Sequence, residues 1–281
     1  MTEIVLGQSL KKSERRPPYL RLATATWDST STPGIENASE KPSLLVSFPA
    51  VRKFMETRDT NTYRDWAMDS GAFSAFNSGM VIDLQEYIEF CLEIMATDPT
   101  LTEIFALDVI GDWKASIVNC EKMWEAGVPA IPCYHTREPE HALTHITKTY
   151  PKIALGGLVG IPMGPKEVVG WLEQCFARIW PKRVHVFGTT SKSYVLRFPA
   201  SSWDSTNWVT GPCAFGSWSQ FGNLSVRGSK QNLRSEVEFF LDLENRARVK
   251  WRKQMKELDD LNEPLPEFSK KENVNEVSGD T

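Results

Sequence analysis

The chain has 281 residues and a mass of 31.8 kDa, and its apolar share of 41% is enough to build a hydrophobic core. Its 32 basic and 36 acidic residues give a formal charge of −4, which excludes a globally basic nucleic-acid binder but not a local basic surface. No stretch is apolar enough for a membrane span or a secretory signal, so we expect a soluble cytoplasmic protein without a membrane partner.

The five cysteines are odd in number and widely spaced, and no two of them form a Cys-x-x-Cys pair. Neither a disulfide framework nor a cysteine-rich zinc knuckle is therefore encoded. We expect no metal site and no cofactor.

The two ends of the chain differ in composition from its middle. Residues 1–18 carry four basic side chains and are predicted to form a flexible basic arm. Residues 261–281 are polar and contain two prolines, which predicts a disordered tail. Residues 19–260 are left as a single folded domain.

From residue 64 onward, short apolar runs alternate with segments of helical periodicity. The predicted strands are Trp66–Asp69, Glu103–Val109, Pro129–Tyr134, Lys152–Leu158, Arg183–Phe187 and Pro199–Asp204. One earlier strand is expected from Tyr19–Thr24 or Leu44–Phe48, and a last one from Ala214–Ser219 or Leu224–Val226. The predicted helices are Asp83–Thr97, Asp112–Ala126, Pro165–Trp180 and Ser235–Leu258, with a very short one within Lys192–Phe198.

Buried strands that alternate with amphipathic helices are typical of a mainly parallel α/β sheet. About eight strands favour a closed (β/α)8 barrel as a single domain. An open doubly wound sheet is the alternative, but the sequence contains no glycine-rich phosphate loop of the kind that such a sheet favours.

Three aspartates close predicted strands, namely Asp69, Asp108 and Asp204. Each of them taken alone is most simply a turn or helix-cap residue. In a parallel barrel, however, the strand ends converge on one mouth, and grouped carboxylates are kept there mainly for chemistry or for binding. Carboxylate pairs of this kind perform glycosyl chemistry, and an ionised Asp accepts hydrogen bonds from a donor edge such as that of guanine.

Two glycine positions follow predicted strands, the pair Gly156-Gly157 and the single Gly188. Ordinary turns explain them equally well. The functional interpretation is that the missing side chains let the backbone approach a planar ligand. Of the histidines, His185 is expected in the core, and His141 and His145 are expected as a surface pair.

These motifs, in this order, resemble those of the tRNA-guanine transglycosylase superfamily over about residues 64–230. The matching segments are Asp69-Ser70-Gly71-Ala72-Phe73, Ala106-Leu107-Asp108, Gly156-Gly157-Leu158-Val159-Gly160, Gly188 and Trp203-Asp204-Ser205. The family's zinc motif and its RNA-binding extensions are absent, and Tyr134-His135 stands where the family has a glutamine. The chain is therefore most similar to the short phage and bacterial branch that exchanges guanine in DNA for a 7-deazaguanine base.

The resemblance implies Asp204 as the nucleophile at C1′, Asp69 as the general acid and base, and Asp108 as the group that reads the base. The remaining residues of the implied base site are Ser70, Gly71, Phe73, His135, Gly156, Gly157, Leu158 and Gly188. His135 is either a base contact that replaces the missing amide or a structural residue. The implied partners are DNA, a free 7-deazaguanine of the preQ0 type and a possible second copy of the chain, in the cytoplasm of a bacterium or of a phage-infected host.

Basic and aromatic residues are interleaved around the last predicted strands, which suits a splayed nucleic-acid strand but also ordinary solvated loops. The candidate phosphate contacts are Lys192, Arg197, Arg227 and Lys230. Three other functions remain open: the same exchange on tRNA, hydrolysis of small-molecule N-glycosides or nucleosides, and a catalytically silent nucleic-acid-binding barrel.

Overall fold

Eight parallel strands form the centre of the molecule. The computed structural model describes residues 17–24, 40–159, 162–209 and 230–262. Within these ranges the strands are β1 (Tyr19–Thr24), β2 (Ser43–Ser47), β3 (Asp65–Asp69), β4 (Leu101–Ile104), β5 (Cys133–His135), β6 (Lys152–Gly156), β7 (Arg183–Val186) and β8 (Ser202–Ser205). The predicted arm at residues 1–18 and the predicted tail at 261–281 lie almost wholly outside the described residues.

The sheet closes on itself. Strand β1 lies between β2 and β8, and the order along the sheet is β4-β3-β2-β1-β8-β7-β6-β5. A parallel bridge between Phe105 and Ile131 joins the two end strands. The Ile131 N–H donates to the Ile104 carbonyl at 2.8 Å, and the Ala106 N–H donates to the Ile131 carbonyl at 2.9 Å. The predicted single-domain α/β barrel is confirmed.

A helix follows each strand from β2 to β8, and two helices follow β3. The first, second and fifth helices are not among those predicted. The helices are α1 (Phe48–Thr57), α2 (Ala72–Ser78), α3 (Leu84–Thr97), α4 (Trp113–Glu125), α5 (Glu140–Thr149), α6 (Pro165–Ile179), α7 (Lys192–Val195) and α8 (Lys230–Leu261). Asp83 and Asp112 cap α3 and α4 by accepting backbone N–H groups of the first turn. None of the helices that the structure describes combines the length and apolar character that a bilayer crossing requires.

The strand boundaries differ from the prediction in an informative way. Both early candidates form strands, β1 and β2, so eight strands are reached without a contribution from residues 214–219 or 224–226, which lie outside the described residues. Strand β4 ends at Ile104, whereas the apolar run continues through Leu107. Phe105 makes only the isolated bridge to Ile131, and Ala106 and Leu107 continue beyond it, so residues 105–107 are buried outside the regular strand ladder. Hydrophobicity alone cannot distinguish a buried ladder from a buried segment of this kind.

The core has an outer and an inner part. Alternate strand residues such as Leu44, Val46 and Trp66 pack outward against the helices. The residues between them point inward, and the barrel interior contains a small apolar cluster of Leu45, Ala67, Phe105, Ile131 and Ala154.

A charged layer lies one inward-facing step before this apolar cluster on β3, β4 and β6. The Arg21 guanidinium donates to Asp65 at 2.9 Å and to Glu103 at 3.2 Å. The Lys152 ammonium donates to Glu103 and, at 3.0 Å, to Ser202 Oγ. All four charged side chains are at most 9% exposed, and their two positive and two negative charges balance. The network therefore ties β1, β3, β4, β6 and β8 together across the interior.

Replacement of Glu103 by Gln should destabilise the fold strongly, because Lys152 would keep a buried charge without a carboxylate and Arg21 would keep Asp65 as its one partner in the network. We expect a loss of about 3–5 kcal/mol in the free energy of unfolding. Glu173→Gln, which breaks the exposed pair with Arg197, should cost less than about 1 kcal/mol. Urea denaturation of both variants measures the difference, and equal losses would show that the interior network is not required.

Candidate active site

The three aspartates singled out in the sequence share one end of the barrel. Asp69 is the last residue of β3, Asp204 lies in β8, and Asp108 follows β4 by four residues. Burial raises the pKa of Asp69 to about 6, and the negative charge of Asp108 adds to the rise. Burial likewise raises the pKa of Asp204 to about 7, with a further contribution from Asp69. The structure therefore brings the three carboxyl groups into one electrostatically coupled site.

Asp204 has two close polar neighbours. Its Oδ1 accepts the Gly188 N–H at 2.9 Å, and His185 Nε2 lies 3.3 Å from the same oxygen without completing a hydrogen bond to any described residue. Gly188 has φ +74°, and a Cβ at this position would lie 2.4 Å from Val159 Cγ2. Only glycine fits there. Gly188 thus belongs to the site as predicted, but its N–H binds the carboxylate and not a planar ligand.

Asp69 is fixed by the turn that follows it. The Gly71 N–H donates to Asp69 Oδ2 at 3.1 Å. Ser70 is buried, and its Oγ accepts the Ala72 N–H at 3.5 Å at the start of α2. Phe73 lies in the first turn of the same helix with half of its surface exposed. Ser70 and Gly71 therefore position Asp69, whereas the Phe73 ring is free to contact a ligand.

Asp108 and His135 form a second part of the site. His135 Nε2 lies 3.4 Å from Asp108 Oδ2, and its Nδ1 lies 3.1 Å from Glu138 Oε1. Burial opposes a charge on this ring, but Cys133 and the hydrogen bonds to Asp108 and Glu138 outweigh it and raise the pKa of His135. Within the described part of the chain, Asp108 Oδ1 is buried without a hydrogen-bond partner. One oxygen of Asp108 therefore faces His135, and the other is available to a donor.

The turn at Gly156 and Gly157 packs directly against this pair. A Cβ on Gly156 would lie 2.8 Å from both Cys133 Sγ and the His135 ring. Thr136 Oγ1 donates to the Gly157 carbonyl at 3.0 Å, which ties the turn to the end of β5. Leu158 follows as a half-buried residue in the apolar core. The glycines thus allow close packing around His135. The glycine turn and the end of β5, joined by this hydrogen bond, form one wall of the site.

The predicted role of His185 as a core residue is correct but incomplete. The ring is fully buried, and burial together with Lys152 and Arg21 lowers its pKa well below the usual value. The ring is therefore neutral. Ser202 Oγ lies 2.9 Å from Nδ1 and accepts from Lys152 at 3.0 Å.

Ser202 Oγ thus lies between the Lys152 ammonium and His185 Nδ1, and the far nitrogen of the ring, Nε2, faces Asp204. The charged layer thus reaches the mouth through Ser202 and His185. The pairing of β7 with β8 places His185 opposite Ser202, two residues before Asp204. Knowledge of this strand register would have indicated that His185 lies near Asp204.

The structure supports only part of the predicted set of nucleic-acid contacts. Lys192 is exposed at the start of α7, but the Arg197 guanidinium binds Glu173 Oε1 at 2.6 Å and is not a free cation. Lys230 begins α8, and Arg227 lies outside the described residues. His141 and His145 are exposed on α5, as expected for a surface pair. Only Lys192 is therefore shown as an exposed cation on the loop side of β7.

The chain has only weak similarity to the known proteins reported below. No protein-family model and no curated protein matches the chain. Among solved structures, a mutant tryptophan synthase α-subunit from Pyrococcus furiosus is 15% identical, with 80% of this chain and 97% of that chain covered and a TM-score of 0.49. A putative fructose-1,6-bisphosphate aldolase from Coccidioides immitis is 7% identical, with 81% and 89% covered and the same TM-score of 0.49. These low identities carry no argument about activity.

The raised pKa of Asp204 predicts a pH-dependent stability. An unfolded Asp loses its proton near pH 3.8, whereas the folded group keeps it to about pH 7, so stability is lost as pH rises through this window. Asp204→Asn removes this titration. Between pH 5 and pH 8 the variant should lose about 2 kcal/mol less unfolding free energy than the wild type. Asp112→Asn, an exposed helix cap, is the control and should follow the wild-type slope in guanidinium titrations.

Proposed function

We propose that this barrel is a guanine transglycosylase that replaces guanine in DNA by a 7-deazaguanine base through a covalent intermediate on Asp204. The observation that carries the proposal is the coupled pair of buried carboxyl groups, Asp69 and Asp204, whose pKa values of about 6 and about 7 place both near neutrality. Groups with these pKa values exchange protons readily at physiological pH. The order of motifs along the chain supports the same reaction class.

In the first step, Asp204 attacks the sugar. One oxygen of the ionised carboxylate accepts the Gly188 N–H and lies close to His185 Nε2, which leaves Oδ2 to form the bond to C1′. The bond from C1′ to N9 of guanine breaks, and its electron pair leaves with the base. Protonated Asp69 supplies the proton that neutralises the leaving base.

The second step runs in reverse with a different base. Asp69, now ionised, accepts the N9 proton of the incoming 7-deazaguanine. The base nitrogen forms its bond to C1′, and the ester bond between C1′ and Asp204 breaks. Asp204 returns as a carboxylate and Asp69 returns protonated, so the cycle needs no cofactor and no net proton.

Asp108 provides the recognition of the base in this proposal. Its buried Oδ1 lacks a partner among the described residues, and such an oxygen is expected to accept a donor. Guanine and 7-deazaguanine both present N–H donors on one edge, so both bases fit the same acceptor. The half-exposed Phe73 ring offers a stacking surface, and the wall formed by Gly156, Gly157 and Leu158 lies beside His135.

The choice of DNA as the substrate rests on the sequence. The zinc motif and the RNA-binding extensions of the tRNA enzymes are absent from the chain. A target base must leave its stack before C1′ can react, so we expect a flipped or single-stranded nucleotide at the mouth. The exposed Lys192 is the described candidate for a phosphate contact.

The reaction is tested by incubating the protein with duplex DNA or tRNA and a 7-cyano-7-deazaguanine, followed by mass spectrometry of the nucleosides. We expect the deazaguanine nucleoside in DNA.

Asp204→Asn should lower the rate by about 10³-fold or more, since it removes the nucleophile. Asp112→Asn, with the same chemical change at an exposed cap, should retain the activity. Incorporation into tRNA alone would identify tRNA as the substrate. Release of guanine without incorporation would indicate a hydrolase. If the base is not incorporated into either nucleic acid and guanine is not released, the proposal is refuted.

The rate of exchange should depend on pH as a narrow bell. Activity requires ionised Asp204, which is favoured above about pH 7, and protonated Asp69, which is favoured below about pH 6. The two groups interact, so the apparent values belong to the pair, and kcat/KM should peak between them. In Asp69→Asn the residual rate should be about 10²–10⁴-fold lower and should rise to a plateau at high pH. A flat wild-type profile between pH 5 and pH 8 would contradict this pairing.

Asp108→Asn should weaken the binding of free guanine. The substitution replaces a charged acceptor by an amide, and a charge-assisted hydrogen bond contributes about 1.5–3 kcal/mol, which corresponds to about a 10–100-fold change in dissociation constant. Asp83→Asn at the exposed cap of α3 is the matched control. Calorimetry measures both variants, and an unchanged affinity in Asp108→Asn would remove this residue from base recognition.

A further inference from the structure

Three potential metal ligands converge at the ends of β4 and β5. Asp108, Cys133 and His135 each offer one donor atom, and these atoms all lie within 4.8 Å of one another. Cys133 and His135 are two residues apart on β5, so both side chains extend from the same face of the strand. Asp108 approaches from the segment that follows β4. The donor set therefore consists of one sulfur, one nitrogen and one oxygen.

The spacing of the donors suits a small tetrahedral ion. His135 Nε2 and Asp108 Oδ2 are 3.4 Å apart, which is longer than a charge-assisted hydrogen bond of about 2.7–2.9 Å. Nitrogen and oxygen ligands at about 2.0–2.2 Å from a tetrahedral Zn²⁺ are themselves about 3.3–3.5 Å apart. The observed separation thus matches two ligands of one ion.

The orientation of His135 also suits a ligand. Its Nδ1 lies 3.1 Å from Glu138 Oε1, and the same carboxylate accepts the His135 backbone N–H at 3.0 Å through Oε2. A hydrogen on Nδ1 leaves the lone pair of Nε2 directed toward Asp108, so that a cation between the two side chains would meet a donor atom from each. Carboxylates that orient the far nitrogen of a histidine are typical of zinc sites.

We propose that Asp108, Cys133 and His135 bind a zinc ion, with Glu138 orienting the histidine. Three protein ligands leave the fourth position for water or for a ligand atom, as in catalytic zinc sites. The Cys133 proton is released on binding, so that a thiolate coordinates the metal. This proposal does not rest on the proposed function, because Asp108 Oδ1 stays available to a base when Oδ2 is the ligand.

The test uses the purified full chain and metal alone, so its outcome is separate from that of any exchange assay. After removal of metal with a chelator, the protein is dialysed against zinc, and bound zinc is measured by mass spectrometry. We expect about one zinc per chain in the wild type and in Cys175→Ser, whose buried cysteine lies on α6 outside the cluster. Cys133→Ser should bind at least about 10-fold more weakly, and Glu138→Gln about 10–100-fold more weakly.

Cobalt substitution identifies the ligands directly. The Co²⁺ form of the wild type and of Cys175→Ser should show a thiolate-to-metal charge-transfer band and the intense visible bands of tetrahedral cobalt, and Cys133→Ser should lose the former. Glu138→Gln keeps all three ligands and so remains informative if Cys133→Ser does not fold. His141→Ala removes the exposed histidine pair and should bind normally. Less than one-tenth equivalent of zinc in the wild type would overturn the proposal, as would zinc binding in Cys133→Ser and Glu138→Gln that is as tight as in the wild type. Either result would leave His135 as a protonated ring between two carboxylates.

Discussion

The buried ion network of Arg21, Asp65, Glu103 and Lys152 is the constraint on which the barrel depends. Charges are costly to bury, and these are stabilised only because each meets an opposite charge across the interior. The four strands that carry these residues must therefore take one register, in which the four side chains meet. The bridge between Phe105 and Ile131 completes the ring that makes this geometry possible.

The same network extends toward the mouth of the barrel. Lys152 binds Ser202, Ser202 contacts His185, and His185 approaches Asp204. A neutral His185 is a consequence of its burial near two cations, and a neutral ring can present a hydrogen to a carboxylate without adding a charge. The layer that stabilises the fold thus also orients the carboxyl group to which we assign the chemistry.

At the mouth of the barrel, unlike in the interior network, the acidic groups are not matched by an equal number of cations. Asp69, Asp108 and Asp204 are like charges with few cations around them, and the backbone N–H groups of Gly71 and Gly188 are the donors that hold two of them. Burial and mutual repulsion raise the pKa values of Asp69 and Asp204 at a cost in stability near and above neutral pH. Such a cost is typical of a functional site. One oxygen of Asp108 faces His135, and the other has no hydrogen-bond partner among the described residues.

The sequence by itself determined the alternation of strands and helices, the barrel and the position of three aspartates at strand ends, because these depend on local hydrophobic periodicity and on the parallel topology it implies. Tertiary structure alone decided that residues 105–107 are buried outside the ladder, that Arg197 pairs with Glu173, and that Gly188 donates to Asp204. It also decided that His185 faces Asp204 and that Cys133, His135 and Asp108 converge. Each of these facts involves residues on different strands or loops. They depend on strand register and on closure of the sheet, which no local pattern in the sequence encodes.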